Sequence, residues 1–473
     1  MSAQDQQNSR RRPPLHMPDL HKAFLAPPGT SERVGLEVEA GVLDETTGLA
    51  APYEGPHGMA ALLQQVVQER GGSPLWAGDV LTGAHLPDGT TLTLEHGGQL
   101  EYSSPPADDL VTLVTAMRRT MEDLASLAQQ HGLAVVPGGN LPFDRVDTAT
   151  WVPTVRGGVM RTYFAGLGPE GEGAPHIMKL STSTQTTLDY LSEDDLASKL
   201  RVQVAASPVV AALLVNSPLY AGQLDGVLSH RCRDWLRMDP RRVGSPGPAH
   251  RIPLTAEALT DWALGLPMIY RHGPGGYRLA GPQTFAHHLR EGFDDGTAPD
   301  WDDWLSHLDQ VYTTVRVRRT LETRAPDGPP YAHISAVPAL WTGLTYHAPS
   351  RAAAWELLRH YTPEEGNAAQ QALPTDGLAT RLGGETVRDL AGHLLTLART
   401  GLRARVRAGL EQPEALTFLD PLDEILDTNE TFAEQTARRW QTTYRKDPAR
   451  YIAAHRIPPA DRSGKRNRHA SPR

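Results

Sequence analysis

Acidic side chains recur in separate segments of this chain that alternate as β-strands do. In GLEVE, Glu37 and Glu39 alternate with Leu36 and Val38. Side chains two apart in a strand point to the same face, so the carboxylates share one face and the apolar pair the other. Residues 32–43 are therefore predicted to form a strand with an acidic face. Taken alone, that face fits either a solvated surface or the wall of a metal site.

A second segment, TTLTLEHGGQLEYS (90–103), repeats the pattern as two strand halves joined through Gly97 and Gly98. Glu95 and Glu101 share parity, although the two glycines could form a bulge that shifts the register. If such carboxylates face inward, two charges about 5 Å apart repel by roughly 3 kcal/mol at an effective dielectric constant near 20. Several inward carboxylates therefore require cations. Magnesium fits, because it takes oxygen ligands and bridges carboxylates to phosphates.

A third polar segment, HIMKLSTSTQTTLDY (176–190), is predicted to be one long strand, followed by a helix that begins at Ser192. Seven Ser and Thr residues lie between Ser181 and Ser192, more than a simple core face would need. Either a solvated edge strand or a polar wall facing a ligand accounts for them. The residues that this strand would place on one face are Lys179, Ser181, Ser183, Gln185 and Thr187.

The fourth segment, TTVRVRRTLETRAPDG (313–328), is predicted to be a strand that ends in a turn. Arginines that alternate around one glutamate suit a site that holds phosphate and carboxylate oxygens beside a metal ion. A surface ladder of charges is the alternative, but it leaves the other acidic strands unexplained. Arg319 is the exception to the alternation. The residues predicted to share a face are Arg316, Arg318, Thr320, Glu322 and Arg324.

The remaining pattern is mainly helical, with apolar residues at helical spacing near 58–70, 107–131, 384–410 and 428–455. Residues 1–15 and 458–473 are polar, rich in proline and basic, so both are predicted to be disordered tails. Residues 16–457 are predicted to form a single catalytic domain with a helical C-terminal part. No G-x-x-x-x-G-K-[ST] phosphate loop is present, so metal ions and arginines would have to hold the phosphates of any nucleotide.

Composition narrows the functional class. The formal net charge of -9 argues against a nucleic-acid partner, and no apolar run approaches membrane-spanning length. The N-terminus lacks the apolar segment of a secretory signal, so a cytoplasmic enzyme is expected. Cys232 is the only cysteine, which excludes an intrachain disulfide. It lies in HRCRDWL, a helical pattern, and is predicted to be a packed thiol rather than a nucleophile. Composition leaves the oligomeric state open.

Four motifs, in order, closely resemble the signature segments of the type 2 glutamate–cysteine ligase family, which includes plant-type enzymes and bacterial ligases of ergothioneine biosynthesis. They are GLEVE, TLEHGGQLEYSSPP, MKLSTSTQTTLDY and VRVRRTLETRAPDGPP. The similarity extends over most of the chain, through NSPLYAG (216–222), RDWLRMDPRRVG (233–244), ALWTGLTY (339–346) and FLDPLDEIL (418–426). One such motif would be weak, whereas four in order are specific.

The resemblance implies an α+β, glutamine-synthetase-like fold, in which a curved, mainly antiparallel β-sheet forms a cavity backed by helices. It implies that ATP phosphorylates the glutamate side chain and that the cysteine amine then displaces phosphate, giving γ-glutamylcysteine. The cofactors implied are ATP and Mg²⁺, and the partners are small-molecule substrates. By matching positions, the implied metal ligands are Glu37, Glu39, Glu95, Glu101, Gln185 and Glu322. The implied catalytic residues are Arg316, Arg318 and Arg324, and charge and position suggest nucleotide contacts at Lys179 and Arg319.

Two departures from the family pattern leave the amine acceptor open. Thr187 stands where the family commonly has Asn, and the run STST lacks a Cys that is often found there. One alternative is therefore a ligase of the same mechanism with a different amine or acid, in a secondary-metabolite pathway. Another is a catalytically silent nucleotide- or metal-binding homologue. A hydrolytic metalloenzyme using His287 and His288, or His85 and His96, is disfavoured because adjacent residues on a helix point in different directions.

Overall fold

A nine-stranded antiparallel sheet lies at the centre of the computed structural model, which describes residues 15–273 and 275–460. Nine strands form this sheet, and the other eight strands of the described residues form four two-stranded sheets. In chain order, the strands are β1 (Val34–Asp44), β2 (Ser73–Ala77), β3 (Val80–His85), β4 (Thr91–Leu94), β5 (Leu100–Ser103), β6 (Leu133–Pro137), β7 (Thr184–Leu188), β8 (Leu219–Tyr220), β9 (Gln223–Leu224), β10 (Val243–Gly244), β11 (Tyr270–Gly273), β12 (Gly276–Leu279), β13 (Tyr312–Thr313), β14 (Val315–Val317), β15 (Leu321–Thr323), β16 (Arg381–Leu382) and β17 (Glu385–Thr386).

The helices that surround the sheet include long amphipathic ones and short ones of a turn or two. They are α1 (Met17–Leu20), α2 (Met59–Arg70), α3 (Leu110–Gln130), α4 (Val155–Gly166), α5 (Ala174–Leu180), α6 (Glu193–Leu213), α7 (His230–Trp235), α8 (Ala256–Leu264), α9 (Phe285–Glu291), α10 (Trp301–Asp309), α11 (Ala336–Thr345), α12 (Ala348–Leu358), α13 (Pro363–Asp376), α14 (Val387–Arg407), α15 (Asp420–Thr428), α16 (Phe432–Gln441) and α17 (Pro448–His455). The predicted helices near 58–70, 107–131 and 384–410 are confirmed as α2, α3 and α14, whereas 428–455 divides mainly into α16 and α17.

The sheet runs in the order β14-β15-β7-β1-β5-β4-β3-β2, with β6 also pairing with β1. Registers between these strands decide which side chains share a face. Glu37 lies opposite Gln185 on β7, and Glu39 lies opposite Glu101 on β5. Directly opposite residues point to the same side of a sheet, so the carboxylates of the first two predicted segments share one face.

The opposite face of the sheet belongs to the core. Leu36 and Val38 are buried there in one apolar cluster with side chains of α3 and α11, such as Met117 and Leu340. This arrangement confirms the predicted α+β class, with an antiparallel sheet and helices behind it. The alternation in GLEVE therefore gives the strand one face that packs in the core and another that forms an acidic wall.

The predicted long strand at 176–190 is wrong in its first half. Residues 174–180 form α5, with Pro175 in the first turn, and strand β7 begins only at Thr184. Proline near the start of a helix has its fixed φ already suited to helical geometry, and a short run such as HIMKL fits helix and strand equally well. Lys179 therefore lies on a helix and does not continue the face of Gln185.

The predicted strand at 313–328 is a hairpin. Strands β14 and β15 are antiparallel and reverse direction over residues 318–320, where the Arg318 N–H donates to the Thr320 carbonyl at 2.9 Å. Arg316 lies directly opposite Glu322 in this hairpin. The charged side chains do converge, but through cross-strand pairing and not through the alternation of one straight strand.

Helix α6 begins at the predicted place, where the Ser192 hydroxyl accepts a hydrogen bond from the Asp195 N–H. Within the described residues it is the one helix long and apolar enough to cross a membrane, contrary to the expectation that no segment reaches that length. However, 78% of its most apolar window is buried, and it packs against α12, α13 and α14. A core helix has the same composition as a membrane span.

The two predicted tails lie mostly outside the described residues, which begin at 15 and end at 460. At the C-terminal boundary, the Ala460 N–H donates to the Glu122 carbonyl at 3.1 Å and to the Ser126 hydroxyl at 2.8 Å. The described chain therefore still packs against α3 three residues into the predicted tail.

Candidate active site

Three carboxylates converge on the cavity face of the sheet. Each of Glu39, Glu95 and Glu101 offers an oxygen atom, and the three oxygens lie within 4.8 Å of one another. Glu39 and Glu101 are opposite each other in the β1–β5 ladder, and Glu95 begins the turn between β4 and β5. Carboxylate oxygens at such spacing match the donors that Mg²⁺ takes in proteins.

The turn that carries Glu95 depends on its two glycines. The Glu95 carbonyl accepts a hydrogen bond from the Gly98 N–H at 2.9 Å, and Gly98 has a φ of 88°, which favours glycine. At Gly97 a Cβ atom would lie 2.1 Å from the Lys179 carbonyl oxygen of α5. The double glycine therefore lets the turn close against α5, with Glu95 facing the cavity.

Crowding and burial change the protonation of these carboxylates. Burial, followed by the charges of Glu95 and Glu101, raises the pKa of Glu39 to about 8. Burial and Glu95 raise the pKa of Glu101 to about 7, although Thr93 and Ser103 donate hydrogen bonds to it. Burial also raises the pKa of Glu37 well above its ordinary value, with Glu322 and Glu101 adding to the effect. The protein alone does not supply enough positive charge for these groups.

A second cluster surrounds Glu322, which is buried. Arg316 donates from Nε and Nη2 to its two carboxylate oxygens at 2.9 and 2.8 Å, and Arg318 donates from Nη2 at 3.1 Å. Arg324 also bonds the same carboxylate. Burial alone would raise the pKa of Glu322, but the three arginines outweigh it and hold the pKa at about 2. This carboxylate stays charged.

Gln185 connects the two clusters. Its amide nitrogen donates to Glu39 at 2.8 Å, and its amide oxygen accepts from Arg324 at 2.7 Å. Arg324 in turn bonds Glu322. The network is continuous across β1, β7 and β15, so a change of charge in one cluster is transmitted by hydrogen bonds to the other.

The residues of these clusters line one side of a cavity of about 390 Å³, except Glu322, which lies behind its arginines, and helices supply the other side. The helical side is largely apolar and sulfur-rich, with Met160, Ile177, Met178, Trp235 and Met238. Arg156 of α4 and Tyr270 of β11 are hydrogen-bonded to each other within the same wall. Arg231 of α7 completes it and donates to the Arg324 carbonyl at 2.8 Å.

Sequence reasoning did not select these helical residues. They come from separate elements and share no repeating pattern, so neither alternation nor spacing marks them. One signal was available, because RDWLRMDPRRVG was among the segments that resemble the family, and it contains both Trp235 and Met238. An aromatic residue beside arginines in a matched segment indicates a ligand wall as well as a helix.

A second pocket of about 240 Å³ adjoins the first at the start of β1, and Glu37 and Arg318 line both. Its wall carries the hydroxyls of Ser104, Thr187 and Thr320 together with Asp189 and Arg33. Thr187, the departure from the family pattern, lines this second pocket and does not line the first cavity. The departure thus bears on the ligand of the second pocket.

The two residues predicted to contact nucleotide lie outside both pockets. Lys179 is buried, and its Nζ donates to the Val146 carbonyl and lies 5.4 Å from the Trp151 ring. Arg319 is exposed at the β14–β15 turn. Their proposed contacts stay predictions that this geometry does not support. Cys232 is buried in α7, as expected, and burial raises the pKa of its thiol to about 12.

The histidines of the hydrolase alternative do not form a group. His287 and His288 lie on α9, His85 lies on β3, and only His96 lines the cavity. Burial, with a contribution from Arg156, lowers the pKa of His96 to about 3, so the ring is neutral. One neutral histidine does not make the multi-histidine metal site of that alternative.

Comparisons with known proteins agree with the geometry. The family profile described as Glutamate-cysteine ligase family 2 (GCS2) matches residues 33–454. A chloroplastic glutamate–cysteine ligase of Arabidopsis thaliana is 30% identical over 406 residues, which cover 85% of this chain and 75% of that protein. The chloroplastic enzyme of Brassica juncea is 29% identical over 427 residues, covering 89% and 80%.

A solved structure shares the fold. The glutamate–cysteine ligase of Francisella tularensis in complex with AMP superposes with a TM-score of 0.52 at 12% identity, covering 89% of this chain and 88% of that one. The expectation of a cytoplasmic enzyme, by contrast, is corrected, because the plant relatives are named as chloroplastic. A test for a secretory pattern does not separate the cytoplasm from a plastid.

Proposed function

The chain belongs to glutamate-cysteine ligase family 2, and from this premise we propose that it joins the side-chain carboxylate of glutamate to the amine of cysteine, with ATP as the phosphoryl donor. One observation carries the proposal. Glutamates from β1, the β4–β5 turn and β5 face one cavity together with three arginines that Glu322 of β15 holds from behind, and burial with the neighbouring acidic charges raises the pKa of Glu39 and Glu101. A structural role would not place so many carboxylates together.

The residues present fit magnesium. The donors at Glu39, Glu95 and Glu101 are all oxygen atoms, and the raised pKa values of Glu39 and Glu101 indicate missing positive charge. Glu37, Gln185 and Glu322 are proposed as the further members of this metal site. When bound, Mg²⁺ supplies charge neutralisation for the triphosphate and for the carboxylate that receives the γ-phosphoryl group.

The arginines are proposed to hold the phosphoryl group during transfer. Arg316, Arg318 and Arg324 are oriented by Glu322, and a guanidinium pre-oriented in this way stabilises developing phosphate charge without further reorganisation. The amine then attacks the acyl phosphate of glutamate, the amide bond forms as phosphate leaves, and the amine loses its proton. A carboxylate of the cluster that is not bound to Mg²⁺ is suited to accept that proton.

The apolar helical side of the first cavity and the hydroxyl-lined second pocket differ enough to separate the two kinds of substrate. We place the acceptor amino acid at the apolar end, where Met178, Trp235 and Met238 can pack a small, soft side chain. Arg156 lies in the same wall and is suited to a carboxylate. The second pocket, with its hydroxyls, is left for the nucleoside part of ATP. Residues 16–457 are proposed to act as one catalytic domain.

The test is a purified-protein assay with ATP, magnesium and glutamate over a panel of amino acids, following phosphate release and identifying the product by mass. We expect cysteine to give the highest kcat/KM. Stimulation by another amine but not by cysteine would identify a ligase of the same mechanism with another acceptor. ATP binding without phosphate release for any amine would instead indicate a silent homologue.

A further inference from the structure

We propose that the buried pair His176–Asp234 is a positioning device, which holds helices α5 and α7 together and thereby sets the apolar wall that receives the acceptor amino acid. The inference rests on the proposed function for the identity of that ligand. The mechanical part of the inference does not depend on the proposed function, because the pair lies behind the wall and not in the cavity.

Helix geometry divides each of the two helices into a cavity side and a rear side. On α7, Arg231 and Trp235 are four residues apart and both line the cavity. His230 and Asp234, also four apart, lie on the next face, so neither lines it. The same division holds around α5, where Ile177 lines the cavity and His176 does not.

The rear sides of the two helices meet at one hydrogen-bonded pair, His176 and Asp234. His176 Nδ1 contacts an Asp234 carboxylate oxygen, and both side chains are only 6% exposed. The His176 ring packs against the rings of Tyr220 and His230, with centroids 5.6 and 6.1 Å away. Burial alone would raise the pKa of Asp234, but hydrogen bonds from His176 and Arg233 outweigh it and lower the pKa. The carboxylate is charged and fully engaged.

The backbones approach closely at the same crossing. The Gly173 N–H donates to the Arg237 carbonyl at 3.0 Å, and a Cβ atom at Gly173 would lie 2.0 Å from the Asp234 carbonyl oxygen. Helix α5 has seven residues and α7 has six. Helices this short have little stability of their own, so contacts such as this pair determine where their side chains lie.

A shift of α7 against α5 would move Trp235 relative to Met178, because the two side chains come from opposite sides of the crossing. Glu37, Glu39 and Glu101 on β1 and β5 would stay in place, since strand pairing holds them, and so would the second pocket. Loss of the pair should therefore weaken acceptor binding and leave glutamate and ATP unaffected. This selectivity distinguishes a positioning residue from a merely structural one.

The experiment compares His176→Leu and His176→Asn with wild type in the full-length enzyme with magnesium. We expect the KM for cysteine to rise roughly tenfold in His176→Leu, as small misplacements of a binding wall do, with the KM values for glutamate and ATP within about twofold. His176→Asn keeps an N–H donor near the Nδ1 position and should recover most of the loss.

The matched control is His455→Leu. It removes a part-buried histidine hydrogen bond, between Nε2 and the Tyr444 hydroxyl at 3.2 Å, in α17 away from the cavity-lining residues. This variant should lower the melting temperature without changing any KM. A parallel rise of all three KM values in His176→Leu, or an unchanged KM for cysteine, would overturn the proposal.

Amide hydrogen exchange gives a second measurement that does not need turnover. In His176→Leu, peptides covering 174–180 and 230–238 should exchange faster, while β1 keeps its protection. Unchanged exchange in those two peptides would overturn the mechanical part of the inference. If wild type turned over no amino acid, the proposed function would fail, and the exchange result would still decide whether the pair holds the two helices.

Discussion

At the scale of single residues, two glutamates of the same sheet face have pKa values that are shifted in opposite directions. The pKa of Glu37 is raised by burial and by its acidic neighbours, whereas three arginines hold the pKa of Glu322 at about 2. Without a metal ion, the surroundings therefore favour the neutral form of Glu37 and the ionised form of Glu322. Replacing each by its neutral amide should have different consequences.

Glu37→Gln should remove activity without loss of stability. Glutamine resembles the protonated carboxyl, which is the form of Glu37 that burial favours in the metal-free state. We expect an unchanged or slightly higher melting temperature and at least about a 100-fold lower rate of phosphate release, equivalent to about 2.7 kcal/mol of transition-state stabilisation. A rate close to that of wild type would remove Glu37 from the metal site.

Glu322→Gln should instead cost stability as well as activity. Its carboxylate balances Arg316 and Arg324, which are largely buried, and removal of one partner leaves buried charge uncompensated. Breaking such a pair costs about 3 kcal/mol or more. Urea unfolding of this variant and Glu37→Gln, both without metal, measures the difference. Equal midpoints for the two variants would contradict the charge assignment.

Arg324→Lys tests the geometry of the guanidinium. One Nη atom contacts both Gln185 and Glu322, and a lysine ammonium is a point charge that does not reproduce the fork. We expect kcat/KM to fall roughly tenfold or more. Arg70→Lys is the control, because Arg70 pairs with Asp123 between α2 and α3, away from the cavity. Unchanged constants in Arg324→Lys would leave Arg324 a structural residue.

At the scale of elements, alternation in the sequence predicted strands where one face is core. Leu36 and Val38 alternate with Glu37 and Glu39, and the strand and its two faces follow from that pattern. The segment at 176–190 had no such contrast, because its apolar and hydroxyl residues suit a helix end and a strand equally. The hairpin at 318–320 was missed because charged residues alternate through the turn itself.

The turn of Glu95–Gly98 offers a test at this scale. In Gly97→Ala, the added Cβ would lie 2.1 Å from the Lys179 carbonyl oxygen, so the turn must move away from α5 and take Glu95 with it. We expect phosphate release to fall about tenfold or more, as misplacement of a site residue by about 1 Å does. Gly384→Ala is the control, because no atom lies within 4 Å of a Cβ in that turn. Equal activity of both variants would show that the position of this turn does not affect catalysis at the site.

At the scale of the whole molecule, the sequence showed which residue types a ligase cavity needs but not how it closes. The acidic face was predictable, because it repeats along strands. The opposite wall was not, since Arg156, Arg231 and Trp235 come from helices that only the tertiary fold brings together. A wall assembled from distant single residues leaves no periodic signal in one sequence.

The carboxylate cluster also makes the stability of the whole fold depend on pH and on metal. The pKa values of Glu39 and Glu101, about 8 and about 7, exceed the ordinary carboxyl value of 4.5. At pH values between 4.5 and these raised values, the folded protein therefore binds more protons at these two residues than the unfolded chain does. Their contribution to stability is full below pH 4.5 and is lost as pH rises through 7 and 8. In EDTA the melting temperature should therefore fall between pH 6 and pH 8.5.

Magnesium should oppose that fall, because it binds the deprotonated carboxylates and favours the folded state in which they converge. The dissociation constant for Mg²⁺ should decrease up to roughly tenfold per pH unit between pH 6 and pH 8, since binding displaces about one proton there. Calorimetry in two buffers of different ionisation enthalpy measures the protons released. Glu101→Gln should release fewer protons and show a flatter pH dependence in EDTA. If magnesium bound equally well at pH 6 and pH 8 with no proton release, the converging glutamates would not be its ligands, and the role assigned to the acidic face would be lost with them.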